Sequence, residues 1–509
     1  MSRFSHTLRE QRRLWRLLGE LAAGYWEHAA ADRTPVVERR GRRAAEPLPL
    51  RPRSAAAVLR QAARYLGRNA CHLASPRYYG LMNPKPALAG VLGDALASVL
   101  NPQLAVEAHA PGATALEREA LGWFLTALGW GRGQGQFTSG GSEANLVALK
   151  VALNHRLPGV ARRGLRGLRG QPVFYVSEES HHSLEKFADL LGLGRDAVHW
   201  IPTDGEFAMR PDLLAAAVRR DRRAGRLPFC VVGTFGTTSS GAVDPIAKLV
   251  ALCRRERLWL HVDGAYGGSL ILAPRFRRLW GALGRADSLT LDPHKWLAMP
   301  FPLGVVLVRD AQAAAAPFKV QAAYVPRDKQ RVESYQLGMQ WSRRFLGLKL
   351  WLAGQVYGRR AYERHFAEQM RLADYFRARL AARPAFATVS ESPLPITCFT
   401  WLERPRATRR SLPVEELTRF ERQMNLALAE EMVRRGWAWI SATRLRPQGF
   451  PRLRSGRAGS GRPLRGPTVM RMMVINYETR ARHLDRLVAD LERLAADPRL
   501  RRRAARLPT

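Results

Sequence analysis

Through the middle of the chain, short apolar runs alternate with longer stretches whose apolar positions recur every three to four residues. The runs Val173 to Val176, Phe229 to Val232, Leu258 to Val262, Ser288 to Leu291 and Val305 to Val308 have the length and character of buried strands. Helical periodicity separates most of them, which predicts an α/β fold with a mainly parallel sheet covered by helices. Residues 1–77 read instead as an arginine-rich helical segment, ended by the punctuation of Ser75-Pro76-Arg77-Tyr78-Tyr79-Gly80 and Asn83-Pro84-Lys85-Pro86. Residues 351–509 mix helices, such as Glu415 to Arg435, with short strands, one expected at Val469 to Val474. The pattern therefore divides the chain into an N-terminal helical segment (1–77), a large domain (78–350) and a small C-terminal α+β domain (351–509). At the start, Phe4, Leu8, Trp15 and Leu18 stand among arginines; Glu10 and Glu20 argue against a transit peptide and for an amphipathic packing helix.

A chain of 509 residues buries a large core and should split into lobes. No apolar run approaches the roughly 18 residues of a membrane span, so no membrane association is expected. Cys71, Cys230, Cys253 and Cys398 are scattered, without metal or disulfide spacing, which predicts a cytoplasmic setting. The net charge of +39, from 82 basic and 43 acidic residues, invites a nucleic-acid reading. The arginines are spread along the chain rather than gathered on one face, which predicts salt-sensitive adhesion to polyanions and no specific nucleic-acid partner. Two stretches are denser: Arg452 to Arg465, read as a flexible loop, and Arg501-Arg502-Arg503.

The candidate chemistry sits where strand-like runs end. In Thr138-Ser139-Gly140-Gly141-Ser142-Glu143-Ala144-Asn145, two glycines precede a helix, so backbone N–H groups and the helix dipole can receive a phosphate, with Ser142 as an added donor. A capped helix after a glycine turn is the preferred reading of this motif taken alone. His181 and His182 follow the run Val173 to Val176, and an imidazole there can stack on a ring or simply cap a helix. Gly236-Thr237-Thr238 follows Phe229 to Val232 and offers a hydroxyl. Asp263, in His261-Val262-Asp263-Gly264-Ala265-Tyr266, ends a strand at the sheet edge where ligands of open α/β folds bind. Lys295, in Asp292-Pro293-His294-Lys295-Trp296, is an amine at an apolar strand end; burial beside cationic groups would lower its pKa and free it as a nucleophile. An amine able to form a Schiff base and a carboxylate for a ring nitrogen are the two groups a pyridoxal phosphate enzyme needs.

These ordered motifs resemble the pyridoxal-phosphate-dependent decarboxylases of the group that contains aromatic-amino-acid, tyrosine, histidine and glutamate decarboxylases. The resemblance runs from about Ser75 to Trp351 and more weakly to about residue 490. It implies a fold type I architecture with a seven-stranded, mainly parallel sheet, helices on both faces and a small C-terminal domain. It also implies pyridoxal 5'-phosphate as cofactor and a homodimer with active sites at the interface. By position, Lys295 resembles the lysine that joins the cofactor, Asp263 the partner of the pyridine nitrogen, and His181 the histidine stacked on the ring. Ala265 matches the small residue under the other face and Thr238 the threonine near the cofactor. Gly140, Gly141, Ser142 and His294 match the phosphate site. Pro317 to Tyr324 resembles a loop whose tyrosine, Tyr324, reaches the partner's active site, and Trp341 to Phe345 with Leu348 to Trp351 resembles the closing signature. The implied reaction is decarboxylation of an L-amino acid, aromatic as first choice, to an amine and CO2; another carbon–carbon lyase or an aminotransferase is the alternative. Glu107 departs from the family's frequent tryptophan and Gly264 from its usual alanine, and Tyr78-Tyr79 falls where relatives border the substrate pocket.

Overall fold

The computed structural model describes residues 5–39, 41, 47–320, 332–406, 411–445 and 466–507. Seven strands form the larger sheet: β1 (Gln134–Thr138), β2 (Pro172–Ser177), β3 (Val198–Ile201), β4 (Leu227–Thr234), β5 (Trp259–Asp263), β6 (Ser288–Leu291) and β7 (Gly304–Val308). Their order is β1-β7-β6-β5-β4-β2-β3. All run parallel except β7, which lies antiparallel to both β6 and β1. Side chains alternate between two cores: Val173 and Tyr175 of β2 join one, Phe174 and Val176 the other. This is why the predicted runs are apolar throughout. Each is buried on both faces.

Four helices precede β1: α1 (Leu8–Ala30), α2 (Ala55–Arg68), α3 (Leu88–Leu100) and α4 (Pro111–Leu128). Helix α5 (Gly141–Arg156) follows β1 and covers one face, with Ala144 to Leu149 and Val151 to Leu153 all buried. Phe124 of α4 packs on the other face. The long helix Gly347–Ala381 carries Gly358 in its middle at φ 69°, where the helical path breaks. A second, antiparallel sheet follows, from β8 (Phe386–Thr388), β9 (Ile396–Trp401), β10 (Ser441–Arg444) and β11 (Thr468–Met473), in the order β10-β11-β9-β8. Helices Arg419–Arg434 and Ala481–Ala495 pack on it around Phe399, Met424, Met470 and Leu487.

Several sequence expectations shift. The helix expected over Glu415 to Arg435 starts at Arg419, because Thr418 caps it, accepting from the Glu421 N–H. Leu8, Trp15 and Leu18, expected to pack, are 70, 53 and 42 % exposed on this single chain, and of that helix only Leu17 and Ala29 are buried. The basic run at 501–503 lies on a short helix, Pro498–Ala504, where Arg503 pairs with Glu430 and Glu431 and Arg501 stacks over Trp401. The basic run 452–465 lies outside the described residues, as does Tyr324. No helix among the described residues is long and apolar enough to cross a membrane.

Candidate active site

Parallel strands deliver their carboxyl ends to one edge, so residues far apart in sequence meet there. Thr138, Ser177, Thr234, Asp263 and Leu291 close β1, β2, β4, β5 and β6 on that edge. Asp263, 6 % exposed, is fixed by two donors: the Asn145 side-chain amide reaches Oδ2 at 2.9 Å and the Ala265 N–H reaches Oδ1 at 3.0 Å. Asn145 is itself held, because its Oδ1 meets Nε2 of the fully buried His261 at 2.9 Å, and His261 Nδ1 lies 2.9 Å from Ser288 Oγ. Burial lowers the His261 pKa to about 4, so the ring is neutral and its bonds orient Asp263 without adding charge. Asn145 and His261 were not singled out from sequence. The one signal was a polar residue on the otherwise apolar face of α5.

Lys295 follows β6 in a turn closed by its own N–H on the Asp292 carbonyl. Its side chain keeps 23 % exposure, and Nζ pairs with Asp292 Oδ2 at 3.0 Å. The neighbour is a carboxylate, not the cations expected from sequence. Asp292 is buried, which raises its pKa to about 6 against the opposing charge of Lys295, and its Oδ1 has no hydrogen-bond partner. His294 is also buried; burial first and then the Lys295 charge lower its pKa to about 3. The Leu303 N–H donates to its Nδ1, which leaves the ring proton on Nε2.

The glycine turn abuts these groups. Gly140 has φ 152°, and a Cβ at Gly141 would fall 2.9 Å from Asp292 Oδ2 and 3.1 Å from the Ala265 Cβ. A Cβ at Gly304 would in turn lie 2.5 Å from Gly140, so β7 and the turn touch backbone to backbone. The Gly141 N–H already serves Asp292, while Ser142 at the start of α5 is exposed. His181 takes the Ser183 N–H on Nδ1 at 3.2 Å, with Ser183 Oγ 2.7 Å away, so its proton resides on Nε2. Its pKa is lowered by burial, and the charges of both Asp263 and Lys295 act on its ring. Carboxylate and amine therefore both act on the imidazole at this edge. Thr238 is exposed near this edge, whereas its neighbour Thr237 is fully buried and bonds Ser240 Oγ at 2.7 Å.

Two flanking positions are less open than expected. Tyr78 and Tyr79 are 1 and 0 % exposed, Tyr78 lying against Trp439 and Tyr79 within the C-terminal core. Glu107 pairs with Arg118 at 2.7 Å, and its N–H donates to Glu333.

A glycine cradle at a helix start, an amine, an imidazole and a braced carboxylate together fit a phosphorylated pyridine aldehyde. The profile of the pyridoxal-dependent decarboxylase conserved domain matches residues 39–402. The chain belongs to this family. This decarboxylase is 31 % identical over 398 residues to an aromatic-L-amino-acid decarboxylase of Bacillus atrophaeus, covering 76 % of this chain and 79 % of that one. It is 33 % identical over 395 residues to human cysteine sulfinic acid decarboxylase, covering 76 % of each. A crystal structure of mouse CSAD superposes with a TM-score of 0.84 at 26 % identity, covering 97 % of this chain and all of that one. The decarboxylase is thus a pyridoxal-phosphate-dependent carboxy-lyase acting on an amino acid, with the fold type I architecture.

Proposed function

We propose that this decarboxylase removes the α-carboxylate of an aromatic L-amino acid, with Lys295, Asp263 and His181 as its central residues. The observation that carries this is that the charges of both Asp263 and Lys295 act on the His181 ring at one sheet edge. Bound pyridoxal phosphate supplies a sink for the electrons left on Cα when CO2 departs. Lys295 is the amine that holds the cofactor and yields to the substrate amine. Asp263, fixed by Asn145 and the Ala265 N–H, presents a carboxylate to the pyridine nitrogen and keeps a proton there. His181, protonated on Nε2, would stack on the ring, and Ala265 would leave room for its other face. The turn of Gly140 and Gly141, with Ser142 and His294, would hold the phosphate, and Thr238 would add a hydroxyl near the cofactor. Tyr324, acting with His181, returns a proton to Cα.

The aromatic substrate is supported by the likeness to the Bacillus atrophaeus enzyme. An acidic amino acid is the second reading, supported by the likeness to human cysteine sulfinic acid decarboxylase. A homodimer with shared active sites completes the proposal; the exposed Leu8, Trp15, Leu18, Val58 and Leu66 of α1 and α2 supply apolar surface for a second copy. The four cysteines stand as free thiols, which supports a cytoplasmic setting. The test is CO2 and amine release from a panel of L-amino acids. Faster turnover of tyrosine, tryptophan or dihydroxyphenylalanine than of aspartate, glutamate or cysteine sulfinate is expected, and the reverse order overturns the aromatic assignment. Loss of amine release in Tyr324→Phe is expected as well.

A further inference from the structure

Away from the cofactor edge, three segments of the N-terminal region converge on one point. His28 lies in the last turn of α1, Glu38 in the loop that follows, and His72 in the loop after α2. The two loops are laced together by backbone bonds, Glu38 N–H to the Ala70 carbonyl at 2.9 Å and His72 N–H to the Val36 carbonyl at 2.8 Å. That pairing fixes Glu38 and His72 relative to each other. Both are buried, at 6 and 0 % exposure, while the His28 side chain is 48 % exposed.

Both imidazoles direct Nε2 at the same carboxylate oxygen. His28 Nε2 lies 2.7 Å and His72 Nε2 3.3 Å from Glu38 Oε1, and the donor atoms of all three fall within 4.8 Å of one another. The edge of a tetrahedral site with bonds of about 2.0–2.1 Å is about 3.3 Å. The His72–Glu38 separation already has that length, and the exposed His28 ring needs to move outward by only about 0.6 Å to match it. The outer nitrogens are also provided for. His72 Nδ1 lies 3.5 Å from the Tyr25 hydroxyl and His28 Nδ1 lies 3.5 Å from Thr34 Oγ1, the arrangement that orients metal-bound imidazoles.

We propose that His28, Glu38 and His72 form a binding site for a divalent transition metal of the zinc class, with a fourth position open to water beside His28. Two imidazole nitrogens and one carboxylate oxygen are the donor set such ions prefer. The metal ties the end of α1 to the paired loops at 36–38 and 70–72. Its role is to anchor the N-terminal segment, not to take part in decarboxylation.

The experiment titrates zinc into the cofactor-loaded, chelator-stripped enzyme by calorimetry and measures bound metal after gel filtration. About one zinc per chain is expected, with affinity lowered at least about 100-fold in His28→Ala. Because His72 is fully buried and its loss risks misfolding, the exposed His28 carries the test, with its visible cofactor spectrum and decarboxylase activity expected unchanged. Cobalt in place of zinc should give tetrahedral absorption bands that vanish in the same variant. Absence of zinc binding, or equal binding by His28→Ala, overturns the proposal and leaves a metal-free hydrogen-bonded trio.

Discussion

Asp263 and Asp292 end neighbouring strands, both buried, yet they are held in opposite ways. Asp263 receives the Asn145 amide and the Ala265 N–H, so each oxygen has a fixed donor whatever binds in front of it. Asp292 pairs with the Lys295 ammonium, keeps an oxygen without a partner, and has its pKa raised to about 6 by burial. The first is held in a prepared frame; the second has its charged form favoured by the ammonium that faces it. A carboxylate that must serve a cofactor nitrogen belongs to the first kind. One that must release a lysine belongs to the second.

The contrast can be broken at several points. Lys295→Ala should have the largest effect, abolishing CO2 release and the visible absorbance of the bound cofactor. Asp263→Asn should keep the fold and lower kcat by about 100-fold or more, since the fixed charge is lost while its shape remains. Asn145→Ala strips a donor from Asp263 and a partner from His261; at about 1–3 kcal/mol for an unmade buried bond, kcat should fall by roughly 5- to 150-fold in steady-state assays.

Much of this arrangement was legible before the structure and part was not. The five apolar runs became β2, β4, β5, β6 and β7 because strands buried on both faces carry a continuous hydrophobic signal. β1 gave none: its Gln134, Gly135 and Gln136 look like loop residues and are strand only through pairing with β7. The positions of Asp263, Lys295 and the glycine turn could be read because each ends a local pattern. The bracing of Asp263 could not, since Asn145 and His261 stand 116 residues apart and meet only across the packed sheet. Asp292 was visible within its motif but silent about its pairing, which depends on where the Lys295 side chain folds back.

Smaller effects sharpen the contrast through pH. His261, with its folded pKa near 4 against about 6.5 unfolded, binds fewer protons folded than unfolded between those values. Its contribution is complete above about pH 6.5 and is lost as pH falls toward 4, by about 1.4 kcal/mol per pH unit. His261→Gln should therefore show a flatter fall of Tm than the parent on acidification through that window. Asp292 has the opposite sign: its folded pKa is raised, so stability drains as pH rises from about 4 to about 6. Asp292→Asn should lack that drain in denaturant titrations and change kcat by less than about 10-fold, the smallest effect of the set.

Borohydride reduction of the pyridoxal-phosphate-loaded protein, followed by peptide mass mapping, tests most directly whether the amine after β6 grips the cofactor. Reduction fixes the cofactor as a stable secondary amine on whichever lysine it has joined. The pyridoxyl group is expected on Lys295 in the wild type and in Asp263→Asn. Its appearance on another lysine, or on none, would contradict the assignment of this sheet edge as the active site.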